Sequence, residues 1–269
     1  MPELPEVETT RKGIEPFLRA QTISMIIVRN GQLRWPVSEE ISLLRSAKVN
    51  TLLRRGKYII LELDHGAILI HLGMSGSMRV VDRDEALKTH DHLLFELSDG
   101  KQIRFNDPRR FGSVLWTRDW HKHPLIGSLG PEPLSEDFDA AYLYKLARGR
   151  SVAIKQFIMN SQVVVGVGNI YANEALFLSG IHPKRAVSRI SLKRMKSLVG
   201  NIKLVLTKAI EQGGTTLRDF VGSDGKPGYF QQQLYVYGRA GEPCKYCEQV
   251  LKEIRMNNRS TVFCSQCQT

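Results

Sequence analysis

The sequence predicts an α+β protein of two domains, with a β-rich front half, a helical back half and a cysteine-rich module at its end. Short apolar runs in the front half alternate with turn signals such as Asp64-His65-Gly66 and Ser98-Asp99-Gly100, a pattern typical of antiparallel hairpins. From Glu136 onward the apolar spacing becomes helical. All four cysteines lie in the last 26 residues. Gly130-Pro131-Glu132-Pro133 separates the two halves and marks a boundary.

A helix opens the front half, and strands follow it. Residues 5–18 predict a helix, because Val7, Ile14, Phe17 and Leu18 fall on one face at helical spacing. Strands are predicted over 23–28, 57–63, 67–71, 93–97 and 102–105. Several short strands joined by turns favour a β-sandwich or a barrel.

The charge balance is strongly basic. The 269 residues include 38 Lys and Arg against 27 Asp and Glu, a net charge of +11. This favours a polyanionic partner, most often nucleic acid, although a basic protein without such a partner is the alternative. No run approaches the roughly 18–20 apolar residues of a membrane span, and the acidic, polar start is unlike a signal peptide. We therefore expect a soluble cytoplasmic protein.

The basic residues concentrate in the helical half. Eight of them, and no acidic residue, lie within 184–208: Lys184, Arg185, Arg189, Lys193, Arg194, Lys196, Lys203 and Lys208. They are either the solvated face of a helix or a surface for a phosphate backbone. Upstream, Gly166 and Gly168 form a loop before a helix that begins near Ile170, with Asn169 as its N-cap. Such a start presents free N–H groups to phosphate, although most glycine loops of this kind are only connections.

Two CxxC pairs form the strongest local signal in the chain. Cys244 and Cys247 are separated by sixteen residues from Cys264 and Cys267, a spacing typical of a four-thiolate zinc ribbon. Two disulfides are the alternative, which a cytosolic compartment disfavours. Four thiolates fill tetrahedral zinc and leave no position for water, so one structural zinc ion is predicted. Residues 257–261 predict a hairpin tip that carries Arg259, either a phosphate probe or part of a solvated loop.

The first six residues combine a proline with a carboxyl group. The initiator Met is ordinarily removed before a small residue, which would give Pro2 a free secondary amine. An α-amino group has a reference pKa of about 7.7–8.0, against roughly 10.4 for lysine, so it is the better nucleophile near neutral pH. It can condense to an iminium, and Glu3 could protonate a leaving group or a ring oxygen. The alternative is structural, with Pro5 in the first turn of a helix followed by acidic residues.

Further stretches of the front half could carry chemistry. Lys57 follows basic residues at a strand start and could bind phosphate or move a proton, or be a solvated strand end. Met74 lies among small residues and could wedge into a base stack, or be a core side chain. In the loop 106–112, Arg109 could read bases and Phe111 could stack, or the loop is a tight turn with solvated charges. The histidines of 90–92 suggest a metal pair, but no third ligand accompanies them.

Together these motifs resemble those of the bacterial formamidopyrimidine-DNA glycosylase (8-oxoguanine-DNA glycosylase) family, and the resemblance covers the whole chain. It rests on MPELPE at 1–6, RRGKY at 54–58, HLGMSGS at 71–77, HDH at 90–92, NDPRRFG at 106–112, VVGVGNIYANEALF at 164–177, QGGTTLRDF at 212–220, SDGKPGYF at 223–230 and the four-cysteine ribbon. The resemblance implies an N-terminal β-sandwich flanked by helices, then a helix–two-turn–helix domain that ends in the zinc ribbon.

The resemblance also implies a role for each matching residue. Pro2 would be the Schiff-base nucleophile at C1′ and Glu3 the acid that helps to open the sugar. Lys57 would serve β-elimination and contact phosphate, and Arg259 would serve δ-elimination. The remaining matches are side chains that fill the gap left by the flipped base, namely Met74, Arg109 and Phe111, and phosphate contacts, namely His90, Arg150 and Asn169. Residues 217–228 would close over the damaged base. Arg150 stands where close relatives often carry Lys, and Arg can hold phosphate bidentately.

The domains implied are an N-terminal catalytic β-sandwich over 1–131, a helical DNA-binding domain over 132–222, a flexible connector over 223–240 and the ribbon over 241–269. The implied partner is damaged double-stranded DNA. We expect a monomer that needs no membrane and no small-molecule cofactor.

The implied activity is that of a bifunctional DNA glycosylase and AP lyase for oxidised purines, which cleaves the strand by β,δ-elimination. An endonuclease VIII type, which prefers oxidised pyrimidines, is the nearest alternative. It is disfavoured because Leu4 stands where that branch usually has Gly, and because RRFG and SDGKPGYF fit the purine branch. A non-catalytic zinc-ribbon DNA-binding protein is the alternative from another class, but it leaves Pro2 and Glu3 without a purpose.

Overall fold

The computed structural model describes residues 2–214 and 233–269, which form two compact units. The first contains residues 2–128 with 212–214, and the second contains 129–211 with 233–269. The loop predicted over 217–228 lies outside the described residues, as does most of the connector predicted over 223–240. Within the described part of the chain, every helix is too short or too polar to cross a membrane.

The N-terminal unit is built on one antiparallel sheet of eight strands in the order β5-β7-β6-β1-β2-β3-β4-β8. The strands are β1 (Thr22–Val28), β2 (Arg45–Arg55), β3 (Tyr58–Leu63), β4 (Gly66–His71), β5 (Ser77–Asp82), β6 (Asp91–Leu97), β7 (Lys101–Asn106) and β8 (Ser113–Thr117). The helices are α1 (Leu4–Leu18), α2 (Glu39–Leu43) and α3 (Pro124–Gly127).

This sheet folds over on itself. Helix α1 packs closely against β2, β3 and β5. In a flat sheet with this strand order, β5 and β3 would lie about 24 Å apart, or five strand spacings. A helix could then touch β5 as well as β2 and β3 only by crossing β7, β6 and β1, and those three strands are not among its close contacts. The sheet therefore curves, so that its two halves and α1 enclose one core.

Side chains from both halves of the sheet share that core. Ile23 of β1, Leu61 of β3, Ile70 of β4, Phe95 of β6 and Phe105 of β7 belong to a single buried cluster. Leu4, Val7, Ile14 and Leu18 give α1 its buried face. Alternate positions of each strand supply these side chains, since successive residues of a strand point to opposite faces.

Turn chemistry is the part of this domain that the sequence predicts best. The hairpin β3–β4 pairs Leu63 with Gly66, and the hairpin β6–β7 turns at 98–100, as predicted. Strands β2, β5 and β8 were not predicted. In β2 only Val49 and Leu52 are buried, so polar residues hide its alternation.

The C-terminal unit is helical and ends in a hairpin. It contains α4 (Ala140–Ala147), α5 (Ile154–Ile158), α6 (Asn169–Leu178), a 3-10 turn at Val187–Arg189, α7 (Leu192–Glu211), β9 (Lys252–Met256) and β10 (Arg259–Phe263). Helix α6 is buried from Ile170 to Phe177, so it is the central helix of the unit. Its N-cap is Gly168 and not Asn169, so the predicted cap is wrong by one residue.

The hairpin tip also differs in detail from the prediction. The tip consists of Asn257 and Asn258, with φ of 48° and 58°, and Arg259 is the first residue of β10. Two successive residues with positive φ define the tight turn whose twist matches that of the flanking strands, and Asn tolerates this backbone well. The fold class predicted from the sequence, an antiparallel β domain followed by helices and a four-cysteine ribbon, is confirmed.

Two Gly→Ala substitutions in the C-terminal unit should have opposite effects on stability. In Gly200→Ala the new Cβ on α7 meets no atom within 4 Å, and alanine in a helix interior is favoured over glycine by about 1 kcal/mol. In Gly130→Ala the Cβ would lie 2.6 Å from the carbonyl oxygen of Gln162. We expect the thermal midpoint to rise for Gly200→Ala and to fall for Gly130→Ala. Equal shifts of the two variants would contradict the packing described here.

Candidate active site and zinc centre

The chain start is buried against helix α1. Pro2 is buried, and the Glu3 side chain is 2% exposed. Glu3 is the extended N-cap of α1 and forms a reciprocal capping box with Glu6, whose Oε2 accepts the Glu3 N–H at 2.8 Å. Pro5 occupies the first turn, where a missing N–H costs nothing. The motif therefore has the structural role, and its cap, which also holds Pro2 and Glu3 in place, is compatible with the chemical interpretation.

A glycine contacts the same carboxyl group from another part of the chain. Gly214 is buried with φ of 81°, and a Cβ built on it would lie 3.2 Å from Oε1 of Glu6. The backbone conformation and the close approach both favour glycine here. Gly214, the second glycine of the QGGTTLRDF motif, is thus fixed beside the capping box.

Lys57 lies in the two-residue turn between β2 and β3. Its neighbour Gly56 has φ of 58°, and the turn is closed by the pair Arg55 and Tyr58. The Arg54 guanidinium donates to the Gly56 carbonyl oxygen at 3.1 Å and pairs with Glu8 of α1 at 3.0 Å. Both side chains of this pair are largely buried, which protects it from solvent screening. The Lys57 turn is therefore tethered to the helix that carries Pro2 and Glu3.

His71, at the end of β4, is a site candidate that sequence reasoning did not single out. Its ring lies 4.9 Å from that of Tyr58. Burial, with the nearby charges of Lys57 and Arg34, lowers the pKa of His71 to about 4. The ring is therefore neutral at pH 7, and since Nδ1 accepts from Gly73 N–H at 3.0 Å, the proton resides on Nε2. In the sequence, only its position as the first residue of the HLGMSGS motif distinguishes His71.

The loops that carry Met74 and the pair Arg109 and Phe111 are interlocked. Ser75 Oγ donates to Asp107 Oδ1 at 2.8 Å, and Gly112 N–H donates to Asp107 Oδ2 at 2.8 Å. A Cβ on Gly73 would lie 2.4 Å from the carbonyl carbon of Phe111. The two loops thus pack backbone against backbone and present their side chains together.

Met74, Arg109 and Phe111 lie at the surface of these loops. Met74 is half-buried in the turn between β4 and β5, outside the strands. Arg109 is exposed, Phe111 is 44% exposed, and the Arg109 guanidinium carbon lies 5.0 Å from the Phe111 ring centre. An arginine and an aromatic ring held together at an exposed tip suit base or sugar contacts.

His90 is exposed at the base of the second loop, where its carbonyl oxygen accepts the Asp107 N–H at 3.1 Å. The next residue, Asp91, is fully buried and lies 3.6 Å from the buried guanidinium of Arg104. His92 is buried and contacts the Asp107 carbonyl oxygen through Nε2 at 2.9 Å. Across residues 2–214 and 233–269, the only group of three or more His, Cys, Asp and Glu side chains placed to hold a metal is the cysteine cluster.

In the C-terminal unit, Asn169 and Arg259 lie close together. The Asn169 side chain, in the first turn of α6, donates to the Ser260 carbonyl oxygen at 3.0 Å. The buried Lys155 donates to the same carbonyl oxygen at 3.1 Å and to Thr261 Oγ1 at 2.6 Å. Arg259 is exposed beside this junction. The hairpin is thus fixed to α5 and α6 one residue after Arg259.

Arg150 precedes α5 and is exposed. Its guanidinium carbon lies 5.7 Å from the ring centre of Phe157, a residue of α5. An aromatic ring can restrain the guanidinium without neutralising its charge. Arg150 thus contacts Phe157, whereas Lys155 contacts the Ser260 junction.

The four cysteines converge at one point. Their sulfur atoms lie within 4.8 Å of one another, with Cys247 to Cys264 at 3.4 Å and Cys244 to Cys267 at 3.9 Å. A disulfide would bring two sulfurs to about 2.05 Å. Tetrahedral zinc with Zn–S bonds of about 2.3 Å separates its sulfurs by about 3.8 Å. Four converging thiols at these distances fit one structural zinc ion and exclude the two-disulfide alternative.

Backbone amides support this ligand set. Tyr246 N–H points at Cys244 Sγ and Cys267 N–H points at Cys264 Sγ, both at 3.4 Å. Such donors stabilise thiolate over thiol and orient the sulfur lone pairs toward a metal. The predicted zinc cofactor is confirmed.

Comparison with protein families assigns all three regions of the chain. Residues 1–114 match the formamidopyrimidine-DNA glycosylase N-terminal domain, residues 129–221 match the formamidopyrimidine-DNA glycosylase H2TH domain, and residues 241–269 match a zinc finger found in FPG and IleRS. The class is thus a DNA repair glycosylase with a zinc finger.

Individual relatives give the same result. The chain is 59% identical over 269 residues to formamidopyrimidine-DNA glycosylase of Marinobacter nauticus, an alignment that covers all of both chains. It also resembles a solved complex between a mutant of the Lactococcus lactis FPG and a Fapy-dG containing DNA, at 33% identity and a TM-score of 0.92 over 100% of both chains. A structure of MutM in complex with carbocyclic 8-oxo-G containing DNA matches at 33% identity and a TM-score of 0.91, again over 100% of both chains. The chain belongs to the formamidopyrimidine-DNA glycosylase family.

Zinc removal should loosen the ribbon in a way that thiol chemistry can follow. The chain has only four cysteines, so a thiol titration reports on this cluster alone. We expect about one zinc per chain and slow thiol reaction, then fast reaction of all four thiols after strong chelation, because coordinated thiolates are protected. Cys247→Ser should lower the zinc content and the thermal midpoint, whereas Ser265→Ala, between the two cysteines of the other knuckle, should change neither. Four fast thiols in zinc-loaded protein would contradict the assignment.

Proposed function

We propose that this chain is a bifunctional DNA glycosylase and AP lyase that removes oxidised purines from duplex DNA in base excision repair. The observation that carries the proposal is the arrangement in the N-terminal unit. Pro2 and Glu3 are held at the start of α1, and the Glu8–Arg54 pair tethers the Lys57 turn to the same helix. Relatives named for this activity, and solved relatives bound to DNA with Fapy-dG or carbocyclic 8-oxo-G, support the substrate class.

In the proposed reaction, Pro2 is the nucleophile once residue 1 has been removed. The unprotonated secondary amine attacks C1′ of the damaged nucleotide, the glycosidic C–N bond breaks, and the base leaves with a proton. The C1′–O4′ bond then breaks as the ring oxygen takes up a proton, and the iminium that forms at C1′ acidifies the C2′ proton. Loss of that proton expels the 3′ phosphate in β-elimination, and a further elimination expels the 5′ phosphate. The intermediate is thus bound covalently to the protein through residue 2.

Glu3 and Lys57 are proposed to move protons in these steps. Glu3 would protonate the sugar ring oxygen as the ring opens, from a position sheltered from water by its own burial. Lys57 would contact the phosphate next to the lesion and assist β-elimination. The tether from Arg54 to the Gly56 carbonyl oxygen keeps the Lys57 backbone in place, so that only the side chain has to adjust.

Arg259 is proposed to assist the second elimination. Asn169, at the start of the ten-residue helix α6, would bind phosphate together with the N–H groups at the start of that helix. Arg150 and His90, both exposed, are proposed as further phosphate contacts. When bound, the zinc ion would hold the ribbon together. The pairing of β9 with β10 in the ribbon sets the position of Arg259.

Met74, Arg109 and Phe111 are proposed to occupy the space that an extruded nucleotide leaves behind. They project from two loops that Asp107 holds together, which gives them a fixed common support. Arg109 would face the orphaned base and Phe111 would stack beside it. An extruded base costs a few kcal/mol of stacking and pairing, and inserted side chains recover part of it.

The domain assignment and the cellular setting are part of the proposal. Residues 1–131 would be the catalytic β-sandwich, 132–222 the helical DNA-binding domain, 223–240 the connector and 241–269 the ribbon. The protein would act as a monomer in the cytoplasm of a bacterium, on the chromosome, without a small-molecule cofactor. The loop 217–228 would cover the damaged base.

Borohydride trapping tests the enzyme and its substrate branch together. A duplex with one 8-oxoguanine opposite cytosine is compared with a thymine-glycol duplex, and the crosslinked peptide is identified by mass spectrometry. We expect a crosslink through residue 2 that is strongest on 8-oxoguanine. A stronger crosslink on thymine glycol would move the protein to the pyrimidine branch. Absence of any crosslink, from protein shown to lack Met1, would leave a non-catalytic DNA-binding protein.

Arg259→Ala should separate the two eliminations. Without the guanidinium, the proposed second elimination slows, so the product that keeps an unsaturated sugar fragment on the 3′ end should accumulate at the expense of the 3′ phosphate. Gel mobility of the cleaved strand distinguishes the two ends. Arg255→Ala, an exposed arginine of β9 in the same hairpin, serves as control and should leave the product ratio unchanged. An unchanged ratio in Arg259→Ala would contradict its assignment.

A further inference from the structure

A tight turn before α2 lies beside the interlocked loops and has no role so far. Residues 31–37 form the turn, which is closed by the Val37 N–H bond to the Gly31 carbonyl oxygen at 2.9 Å and by a bridge between Gln32 and Pro36. Leu33 points into the core and is 8% exposed. The two residues that follow it point outward, since Arg34 is exposed and Trp35 is 47% exposed.

The turn is attached to the loop of Arg109 and Phe111. The Arg34 backbone N–H donates to the Gly112 carbonyl oxygen at 3.1 Å. Gly112 is itself held by Asp107, so the turn and both interlocked loops share one support. Because the bond uses the Arg34 backbone, the Arg34 side chain is left to project from an anchored position.

The charge of Arg34 acts on the same place as that of Lys57. Both cations lower the pKa of His71, and Arg34 also opposes the rise in the pKa of Tyr58 that burial causes. No carboxylate within residues 2–214 or 233–269 lies within salt-bridge distance of the Arg34 guanidinium. Lys57 and Arg34 thus both lie near the neutral His71, and no carboxylate of the described residues balances the charge of Arg34. An anionic ligand would supply that balance.

We propose that the turn 31–37 is an additional DNA contact, in which Arg34 binds a backbone phosphate near the one assigned to Lys57 and Trp35 packs against the adjoining sugar. The proposal rests on the proposed function, because it takes damaged duplex DNA as the ligand. Arg34 offers two parallel donors to a phosphate. Trp35 offers an exposed ring at low entropy cost, since its backbone is fixed by the turn.

Direct binding measurements separate the two contributions. Affinity for a duplex with a stable abasic-site analogue is measured over a range of salt concentrations. Each phosphate contact contributes about 0.9 to the slope of log affinity against log salt. Arg34→Gln should therefore reduce the magnitude of the slope by about one and weaken binding about tenfold at low salt. Trp35→Ala should weaken binding about tenfold at every salt concentration and leave the slope unchanged.

Arg19→Gln is the matched control. Arg19 is exposed, follows the C-terminal end of α1, and so lies about 22 Å along the helix from Pro2. It loses the same charge but should keep the wild-type slope and affinity. Equal slope changes in Arg19→Gln and Arg34→Gln would show a general charge effect and overturn the proposal. A wild-type slope in Arg34→Gln would overturn it as well.

Trapping and stability measurements keep this test apart from that of the proposed function. Arg34→Gln leaves the backbone bond to Gly112 intact, so its thermal midpoint should equal that of the wild type. If the wild type binds the duplex but gives no crosslink, the catalytic proposal fails and the Arg34 contact can still be measured. If the wild type crosslinks but the Arg34→Gln slope is unchanged, only the present inference fails.

Discussion

The buried carboxylate of Asp107 is the interaction on which the loops proposed to contact DNA depend. The two carboxylate oxygens of Asp107 accept from Ser75 Oγ and Gly112 N–H. The backbone carbonyl oxygen of Asp107 contacts His92 Nε2, and its backbone N–H donates to the His90 carbonyl oxygen. One residue thereby fixes the loop of Met74, the loop of Arg109 and Phe111, and the strand end at His90. Through Gly112 it also fixes the turn that carries Arg34. A buried carboxylate that loses such partners is costly by several kcal/mol, so these loops hold their arrangement together or lose it together. Rigid support of this kind is what side chains need if they are to enter a base stack without an entropy penalty of their own.

A second tether links the chemistry to the sheet. Pro2 and Glu3 belong to the start of α1, while Lys57 belongs to a turn 55 residues later in the sequence. The Glu8–Arg54 pair bridges the two elements, and Arg11 adds a second contact to Glu8 at 2.9 Å. These pairs are only slightly exposed, so salt screens them less than it screens surface pairs. Arg11 and Arg54 thus pair with Glu8 and hold together the elements that carry the candidate catalytic residues.

How much of the fold and of the candidate site the sequence predicts depends on how far apart in the chain the interacting residues lie. The sequence correctly predicts the hairpins that turn at Asp64-His65-Gly66 and Ser98-Asp99-Gly100, because a turn depends on only a few neighbouring residues. The zinc ligands were predicted from spacing alone, because two knuckles and a tetrahedral ion leave little freedom. Strand β2 was missed because only two of its eleven residues are fully buried, and it owes its conformation to pairing with β1 and β3. His71 and Arg34 were missed because their environment is assembled from four separate parts of the chain. The roles assigned to Pro2, Glu3, Lys57 and Arg259 stay predictions that chemistry has to test.

The surroundings of individual arginines show which of them remain available to a ligand, which the net charge does not reveal. A net charge of +11 says only that a polyanion is a suitable partner. Eight arginines show two different environments. Arg11, Arg54, Arg79 and Arg104 pair with carboxylates and stabilise the fold. Arg34, Arg109, Arg150 and Arg259 are exposed and have no carboxylate within salt-bridge distance in the part of the chain described here. Two of this second group are held against aromatic rings instead, Arg109 on Phe111 and Arg150 on Phe157, and Arg34 is held by its backbone. Such support restricts a guanidinium without neutralising it, so the charge remains available to a ligand. Part of the excess charge of the chain therefore lies on pre-positioned side chains, and phosphate is the counter-charge proposed for them.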